Sequence, residues 1–123
     1  MAAETLSAHA VDVHVYDAMP SVGRKFLMAG KGGMNITHAE PATQFITRYG
    51  ARQNQVASML QQFGAIDLRD WVHHLGIETF VGSSGRVFPT EMKAAPLLRA
   101  WLHRLRHAGV HFHVRHYWQG WDA

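Results

Sequence analysis

The sequence predicts an α/β fold, because helix and strand patterns alternate along its 123 residues. Residues 11–16 place valines at every second position, which is strand periodicity. Residues 94–108 carry one apolar face at helical spacing, and a second strand is predicted at residues 110–117. A glycine-rich segment and a helical insertion separate the two strands.

The first elements are a short helix and the first strand. Residues 2–8 contain good helix formers and one acid, Glu4, which we expect to be exposed. Asp17 closes the strand, and residues 18–21 leave it as a loop. Residues 22–38 show no lasting helical or strand period. Glycine at the density of this segment indicates unusual dihedrals or close approach to another group.

The middle of the chain predicts two helices and a hairpin. Residues 53–63 and 66–75 each carry an apolar stripe and are followed by glycine. Residues 77–88 form two strand-like runs around a polar turn, and Pro89 ends the pair. The last helix has its cations on the faces away from its apolar stripe, as a helix packed on a sheet would have.

Composition excludes several kinds of protein. The chain has no cysteine, which excludes disulfides, thiol catalysis and zinc–thiolate sites. No apolar run is long enough to span a membrane, and the first residues lack the pattern of a signal peptide, so we expect a cytoplasmic protein. The net charge of +3 fits an anionic partner, either a phosphate-bearing cofactor or nucleic acid.

Asp17 stands where dinucleotide-binding folds place an acid. In such folds the carboxylate at the end of the second parallel strand accepts hydrogen bonds from a ribose diol. An Asp at the end of a strand is also a common way to start a turn. Both interpretations remain open for Asp17 on this pattern alone.

The glycine-rich segment has the residues of an anion site. Consecutive glycines allow backbone N–H groups to converge on an anion, and Asn35 offers a side-chain amide. The alternative is an ordinary surface loop, but the apolar residues in the segment favour contact with a ligand. The cations that could neutralise phosphate here are Arg24, Lys25 and Lys31.

Residues 11–38 closely resemble the bacterial aminoacetone-oxidase-like flavoproteins. These are NAD(P)/FAD-dependent oxidoreductases of the two-dinucleotide-binding-fold, glutathione-reductase-like superfamily, and they include the bile-acid-reductase type. The run Arg86-Val87-Phe88-Pro89, followed by Lys93-Ala94, is similar to a second block of that family. Residues 118–121 look like the start of a following hairpin. The resemblance implies a partial Rossmann-like FAD-binding domain.

The resemblance implies a role for each matching position. Asp17 would hold the adenosine ribose, and Val114 would meet the adenine through its backbone. The remaining cofactor-binding positions, near the ribose, pyrophosphate and flavin, would be Gly23, Arg24, Lys25, Gly30, Gly32, Gly33, Met34 and Asn35. The chain departs from the family in having Gly33-Met34 where Arg-Cys is common, and Asp17 where Glu is common.

The resemblance also predicts that the chain is a fragment. The fingerprint Gly-x-Gly-x-x-Gly is expected about 20 residues before the ribose acid and is absent. We therefore expect a domain without its first strand, catalytically silent alone, with strand edges exposed to self-association. Its parts would be residues 1–40, the second strand and flavin loop; residues 41–90, the insertion and hairpin; and residues 91–123, the crossover helix and following strands.

The remaining histidines and polar residues do not predict a metal site or a catalytic group. His103 and His107 share a helix face, and His111 and His113 share a strand face, but solvation explains both pairs and no metal site is expected. No catalytic side chain is predicted, since flavin would transfer hydride to or from an organic substrate, with oxygen or NAD(P) completing the cycle. The alternative is a small non-enzymatic module that binds a nucleotide or nucleic acid, although we do not expect nucleic acid.

Overall fold

The structure, a computed structural model, describes residues 1–30 and 32–121. Lys31, one of the three cations of the glycine-rich segment, lies outside the described residues. The helices are α1 Ala2–Ser7, α2 Arg24–Ala29, α3 Ala42–Phe45, the 3₁₀ segment Ile46–Arg52, α4 Gln53–Gln62, α5 Ala65–His73 and α6 Ala94–His107. The strands are β1 His14–Asp17, β2 Thr37–His38, β3 Thr79–Val81, β4 Arg86–Pro89 and β5 His111–Val114.

The two predicted strands pair in parallel and confirm the α/β class. His14 faces His111 and Asp17 faces Val114, so β1 and β5 match over all four residues. A parallel pair needs a crossover connection, which here includes α6. Residues 18–93 separate the first strand from that helix.

The core lies on one face of this parallel pair. Val13, Leu105 and Val110 are buried together, and α1 and α6 cover them. Partly buried side chains packed against this cluster are Ala3, Val15, Trp101 and Phe112. Full burial of each aliphatic side chain stabilises the fold by about 1.5–3 kcal/mol, so this contact holds the strands against the helices.

The predicted amphipathic helix is confirmed as α6. Its buried residues are Ala94, Leu97, Leu98 and Leu105. Arg99, His103, Arg106 and His107 are exposed, as the sequence predicted for its basic faces. No helix among the described residues is long and apolar enough to cross a membrane.

A three-stranded antiparallel sheet, in the order β2-β4-β3, joins β2, at the end of the glycine-rich segment, to two strands of the insertion. The predicted hairpin is confirmed as β3 and β4, and the two predicted helices are α4 and α5. The N–H of Gly64 donates to the Asp67 carboxylate over 2.7 Å, which caps the start of α5. The sequence analysis did not predict β2, α3 or the 3₁₀ segment, because each is short and carries no complete apolar period.

Three sequence-based expectations need correction. The segment 22–38 does contain a helix, α2, because the residues between Gly23 and Gly30 are mostly good helix formers. The last strand ends at Val114 rather than residue 117, since Arg115 adopts φ 60° and turns the chain toward Met19. Residues 118–121 lie in no strand of the part of the chain that is described.

Glu4 is not the exposed acid that the helix pattern suggested. Its side chain is only 23% exposed and accepts hydrogen bonds from the indole N–H groups of Trp71, at 3.3 Å, and Trp101, at 2.6 Å. Arg104 approaches the same carboxylate to 2.7 Å in an ionic contact, although its N–H groups do not point along that line. One carboxylate therefore ties α1 to α5 and α6.

Candidate cofactor site

The carboxyl ends of β1 and β5 bring two predicted site residues together. Asp17 and Val114 are the last residues of their strands and are partners in the parallel register. In open α/β sheets, ligands bind outside the carboxyl ends of the strands. The expected ribose acid and the expected adenine contact therefore lie side by side at the edge where this fold class binds its ligands.

The Asp17 carboxylate is half engaged by its own loop. Its Oδ1 accepts a hydrogen bond of 2.8 Å from the backbone N–H of Met19, the turn that an Asp commonly starts after a strand. Among the described residues, Oδ2 has no hydrogen-bond partner. One oxygen thus shapes the turn while the other is open to a diol, so the two interpretations of Asp17 are compatible.

A cavity of about 530 Å³ opens beside this edge. Its lining includes Ser21, Val22, Leu102, Arg106, Phe112 and Val114. The Arg106 guanidinium lies 5.3 Å from the centre of the Phe112 ring, which holds it over an apolar surface. The helix pattern correctly predicted that Arg106 is exposed, but periodicity could not show that the loop after β1 places this side chain in the lining of a cavity. An apolar wall with three polar residues, Ser21, Arg106 and His111, suits a planar ring bearing an anionic group.

Two of the predicted cofactor glycines have a packing role in this structure. A Cβ on Gly23 would lie 2.7 Å from a methyl group of Leu98, and a Cβ on Gly30 would lie 2.5 Å from the Cβ of Ala94. These glycines flank α2 and let it approach α6 closely. Contact between α2 and α6 explains both positions, and their contact with a cofactor stays a prediction.

The backbone N–H groups after α2 are used within the chain. Gly33 donates to Gly30, Met34 donates to Met92, and Asn35 donates to Gly33, over 3.0–3.3 Å. These three groups therefore do not form the expected anion nest in this conformation. A Cβ on Gly32 would meet no heavy atom of residues 1–30 and 32–121 within 4 Å, so that position is open to an approaching group.

The two described cations of the segment are on the surface. Arg24 and Lys25 are exposed at the start of α2, only a short loop after Asp17. They form no ion pair among the described residues, so both are free to meet phosphate. Their predicted roles near ribose and pyrophosphate stay predictions.

A second cavity, of about 550 Å³, lies in the insertion between β2, α3 and α5. Its polar lining includes His38, Glu40, Arg69 and His73. Arg69 Nε donates to the Thr79 hydroxyl at 2.8 Å, and His73 Nε2 is 2.7 Å from the same oxygen. The sequence analysis missed this cavity. Part of its wall comes from β2 and α3, which are too short to show a periodic pattern.

Glu40 is the carboxylate at the rim of the second cavity. It accepts two hydrogen bonds from the Arg48 guanidinium, and its side chain is only 13% exposed. The hydrogen bond from Arg48, helped by the charges of Arg48 and His38, holds the pKa of Glu40 below its ordinary value. The ion pair fixes the 3₁₀ segment beside β2.

Arg48→Gln is therefore expected to destabilise the fold at neutral pH and to have little effect in acid. A depressed carboxyl pKa stabilises the folded state above the unfolded value of about 4.3 and loses that contribution as pH falls through the folded value. Urea unfolding at pH 7 and near pH 3 measures the difference. Arg52→Gln, in the same 3₁₀ segment and without an ion pair among the described residues, serves as the control. An equal loss at both pH values would contradict the assignment.

Comparison with known proteins agrees with this geometry. The sequence model of the family described as HI0933-like protein Rossmann domain matches residues 1–123, the whole chain. No curated protein matches the chain. The parallel pair with its crossover helix and ligand edge is the part of the Rossmann architecture that the described residues contain.

Proposed function

The chain belongs to the HI0933-like Rossmann-domain family, which is of the FAD-dependent oxidoreductase type, and we propose that it forms part of the FAD site of such an enzyme. The reaction we propose for the enzyme is hydride transfer between an organic substrate and flavin. The aminoacetone-oxidase-like or bile-acid-reductase-type chemistry, and NAD(P)H as electron donor, are the finer form of this proposal.

One observation carries the proposal at the level of residues. Asp17 and Val114 end adjacent parallel strands in direct register, and Asp17 keeps one carboxylate oxygen without a partner among the described residues. An adenosine needs a carboxylate for its ribose diol and backbone polar groups for its base. Asp17 supplies the carboxylate at the ligand edge of the sheet, and Val114 brings its backbone there, with its carbonyl oxygen 2.8 Å from His116 Nδ1.

The remaining residues fit a cofactor with two phosphates. Arg24 and Lys25 would neutralise the pyrophosphate, because both are exposed close to Asp17 along the chain. Gly32 would let the cofactor approach the backbone, since no heavy atom of the described residues lies within 4 Å of a Cβ built at this position. Asn35 is exposed at the end of this segment, where its amide would donate to a polar ring edge.

The proposed role of each of these residues follows from its position. Flavin supplies the hydride chemistry when it is bound. Asp17 would orient the adenosine end, and Arg24 and Lys25 would hold the phosphates. The apolar wall beside Val114 would exclude water from the base. None of these side chains needs to exchange a proton with the substrate.

The experiment titrates FAD with the protein and uses the quenching of flavin fluorescence to measure binding. Asp17→Asn keeps an oxygen that can accept from Met19 N–H and so preserves the turn, but it removes the carboxylate charge. Hydrogen bonds to a charged group contribute about 1.5–3 kcal/mol, so we expect at least about tenfold weaker binding.

Glu91→Gln is the matched control, because it makes the same chemical change at an exposed carboxylate in the turn between β4 and α6. Its affinity for FAD should equal that of the unchanged protein. Unchanged affinity in Asp17→Asn would show that Asp17 only forms the turn. Absence of saturable quenching in the unchanged protein would refute the proposal that this chain binds FAD.

A further inference from the structure

One face of the parallel pair carries histidines instead of a core. Alternation along the strands turns Val13, Val15 and Phe112 toward the helices. The opposite face presents His14 and Tyr16 from β1 beside His111 and His113 from β5, with Asp12 just before β1. The His14 and His111 side chains are 38% and 60% exposed, so dissolved ions can reach them.

Three potential ligand atoms converge at the amino-terminal end of this face. The Asp12 carboxylate lies 3.0 Å from His14 Nε2 through one oxygen and 3.7 Å from His111 Nε2 through the other. One ligand atom from each of the three residues lies within 4.8 Å of the other two. Ligand atoms bound at 2.0–2.1 Å around a tetrahedral metal ion are separated by about 3.3 Å. Small side-chain movements would therefore bring these three atoms to metal-binding distances.

A second observation concerns the other nitrogen of His14. His14 Nδ1 lies 2.8 Å from His113 Nε2, and the two rings are nearly parallel with centroids 5.0 Å apart. A histidine that binds a metal through one ring nitrogen characteristically donates its other N–H to a neighbouring acceptor, which fixes tautomer and orientation. His113 is itself stacked on Tyr16, with centroids 4.6 Å apart. His14 is thus oriented with Nε2 toward Asp12.

We propose that Asp12, His14 and His111 form a binding site for a divalent transition-metal ion, with zinc as its occupant. The ligands would be an Asp12 oxygen, His14 Nε2 and His111 Nε2, and water would fill the fourth position. Two imidazoles favour zinc and its transition-metal neighbours over Mg²⁺ and Ca²⁺, which prefer oxygen ligands. The site lies at the end of the strands opposite Asp17, and its ligand His111 also contributes to the lining of the cavity beside Val114.

This inference departs from the sequence analysis, in which solvation explained the histidines. The sequence could place His111 and His113 on one face of a strand. It could not show that His14 lies on a neighbouring strand in register with them, with Asp12 just before that strand. The site depends on that pairing across 97 positions of the chain, from His14 to His111.

The helix pair His103 and His107 is the competing metal site, since its residues lie one turn apart on the exposed face of α6. Their ring centroids are 6.4 Å apart. No carboxylate among the described residues forms a cluster of three ligands with them. A double variant of this pair is therefore the matched control for histidines removed from the surface.

The test is calorimetric titration of the whole chain with Zn²⁺ alone, together with the visible spectrum after addition of Co²⁺. We expect one Zn²⁺ per chain and Co²⁺ absorption typical of four-coordinate geometry. His111→Gln and Asp12→Asn should each weaken Zn²⁺ binding at least about tenfold, since even supporting residues of metal sites contribute that much. His103→Gln with His107→Gln should leave both readouts unchanged.

Several results would overturn the proposal. They are no saturable Zn²⁺ binding by the unchanged chain, equal binding by all variants, or loss of binding in the helix double variant. Far-UV circular dichroism of each variant shows that the fold is retained. Both His111 and Asp12 are exposed, so their replacement is expected to leave the core intact. The FAD titration is independent, and failure of either proposal leaves the other standing.

Discussion

Gly30→Ala is expected to lower the free energy of unfolding by about 2 kcal/mol, as overpacking of a filled contact does. The added Cβ would lie 2.5 Å from the Cβ of Ala94, which is buried at the start of α6. Gly30 has φ −84° and ψ 8°, dihedrals that an alanine can adopt. The loss would therefore report the close approach of α2 to α6 and not backbone strain.

Gly32→Ala is the matched control within the same segment. No heavy atom of the described residues lies within 4 Å of its added Cβ. Its stability should stay within about 0.5 kcal/mol of the unchanged protein, as for surface substitutions in general. Urea unfolding followed by tryptophan fluorescence measures both. Equal stabilities of the two variants would contradict the packing role of Gly30.

The pair also separates two roles that the sequence could not distinguish. Glycines are required wherever a backbone approaches something closely, whether that is a ligand or a neighbouring helix. The sequence analysis assigned Gly23 and Gly30 to a cofactor, but the structure places both against α6. If Gly32→Ala weakens FAD binding without destabilising the fold, the cofactor role belongs to the later part of the segment.

The elements predicted correctly are those with a complete period. β1 and α6 carry enough alternating or stripe positions to define their type, and the hairpin has a polar turn between two apolar runs. β2 has only two residues and exists because β4 offers a paired edge. Such a strand is decided by tertiary pairing, so local sequence contains no signal for it.

The residues of the candidate site differ in how far their position could be predicted from the sequence. Asp17 at the end of a strand could be placed from the pattern, and the resemblance supplied Val114. The register that joins them, and the separate register between His14 and His111, depend on contacts between segments about 97 residues apart. Ser21 and Arg106 were missed because their cavity depends on how a loop passes a helix, which periodicity does not encode.

Glu4 shows the same limit in a single side chain. A lone acid in a short helix normally lies in solvent, and its spacing predicts nothing else. Its partners come from two other helices, and Trp71 and Trp101 pack edge to face with centroids 5.0 Å apart. The Arg104 guanidinium also lies 5.3 Å from the Trp71 ring. The carboxylate thus accepts from two indole N–H groups and lies in ionic contact with one cation in a partly buried cluster.

Glu4→Ala is therefore expected to lower the free energy of unfolding by about 3 kcal/mol, the cost of leaving partly buried donors and a cation without their acceptor. Glu4→Gln should cost about half as much, since its amide oxygen can still accept from one indole but brings no charge to Arg104. Glu91→Ala, on an exposed turn, is the control and should be neutral within about 0.5 kcal/mol.

Urea unfolding followed by tryptophan fluorescence measures these differences, and the native spectrum adds a second readout. Because the carboxylate touches both indoles, its removal should shift the native emission before any unfolding begins. A Glu4→Ala protein as stable as Glu91→Ala would mean that water replaces the carboxylate without cost. In that case burial of Val13, Leu105 and Val110 alone would hold α1 on the sheet, and Glu4 would be the solvated acid that its sequence context suggests.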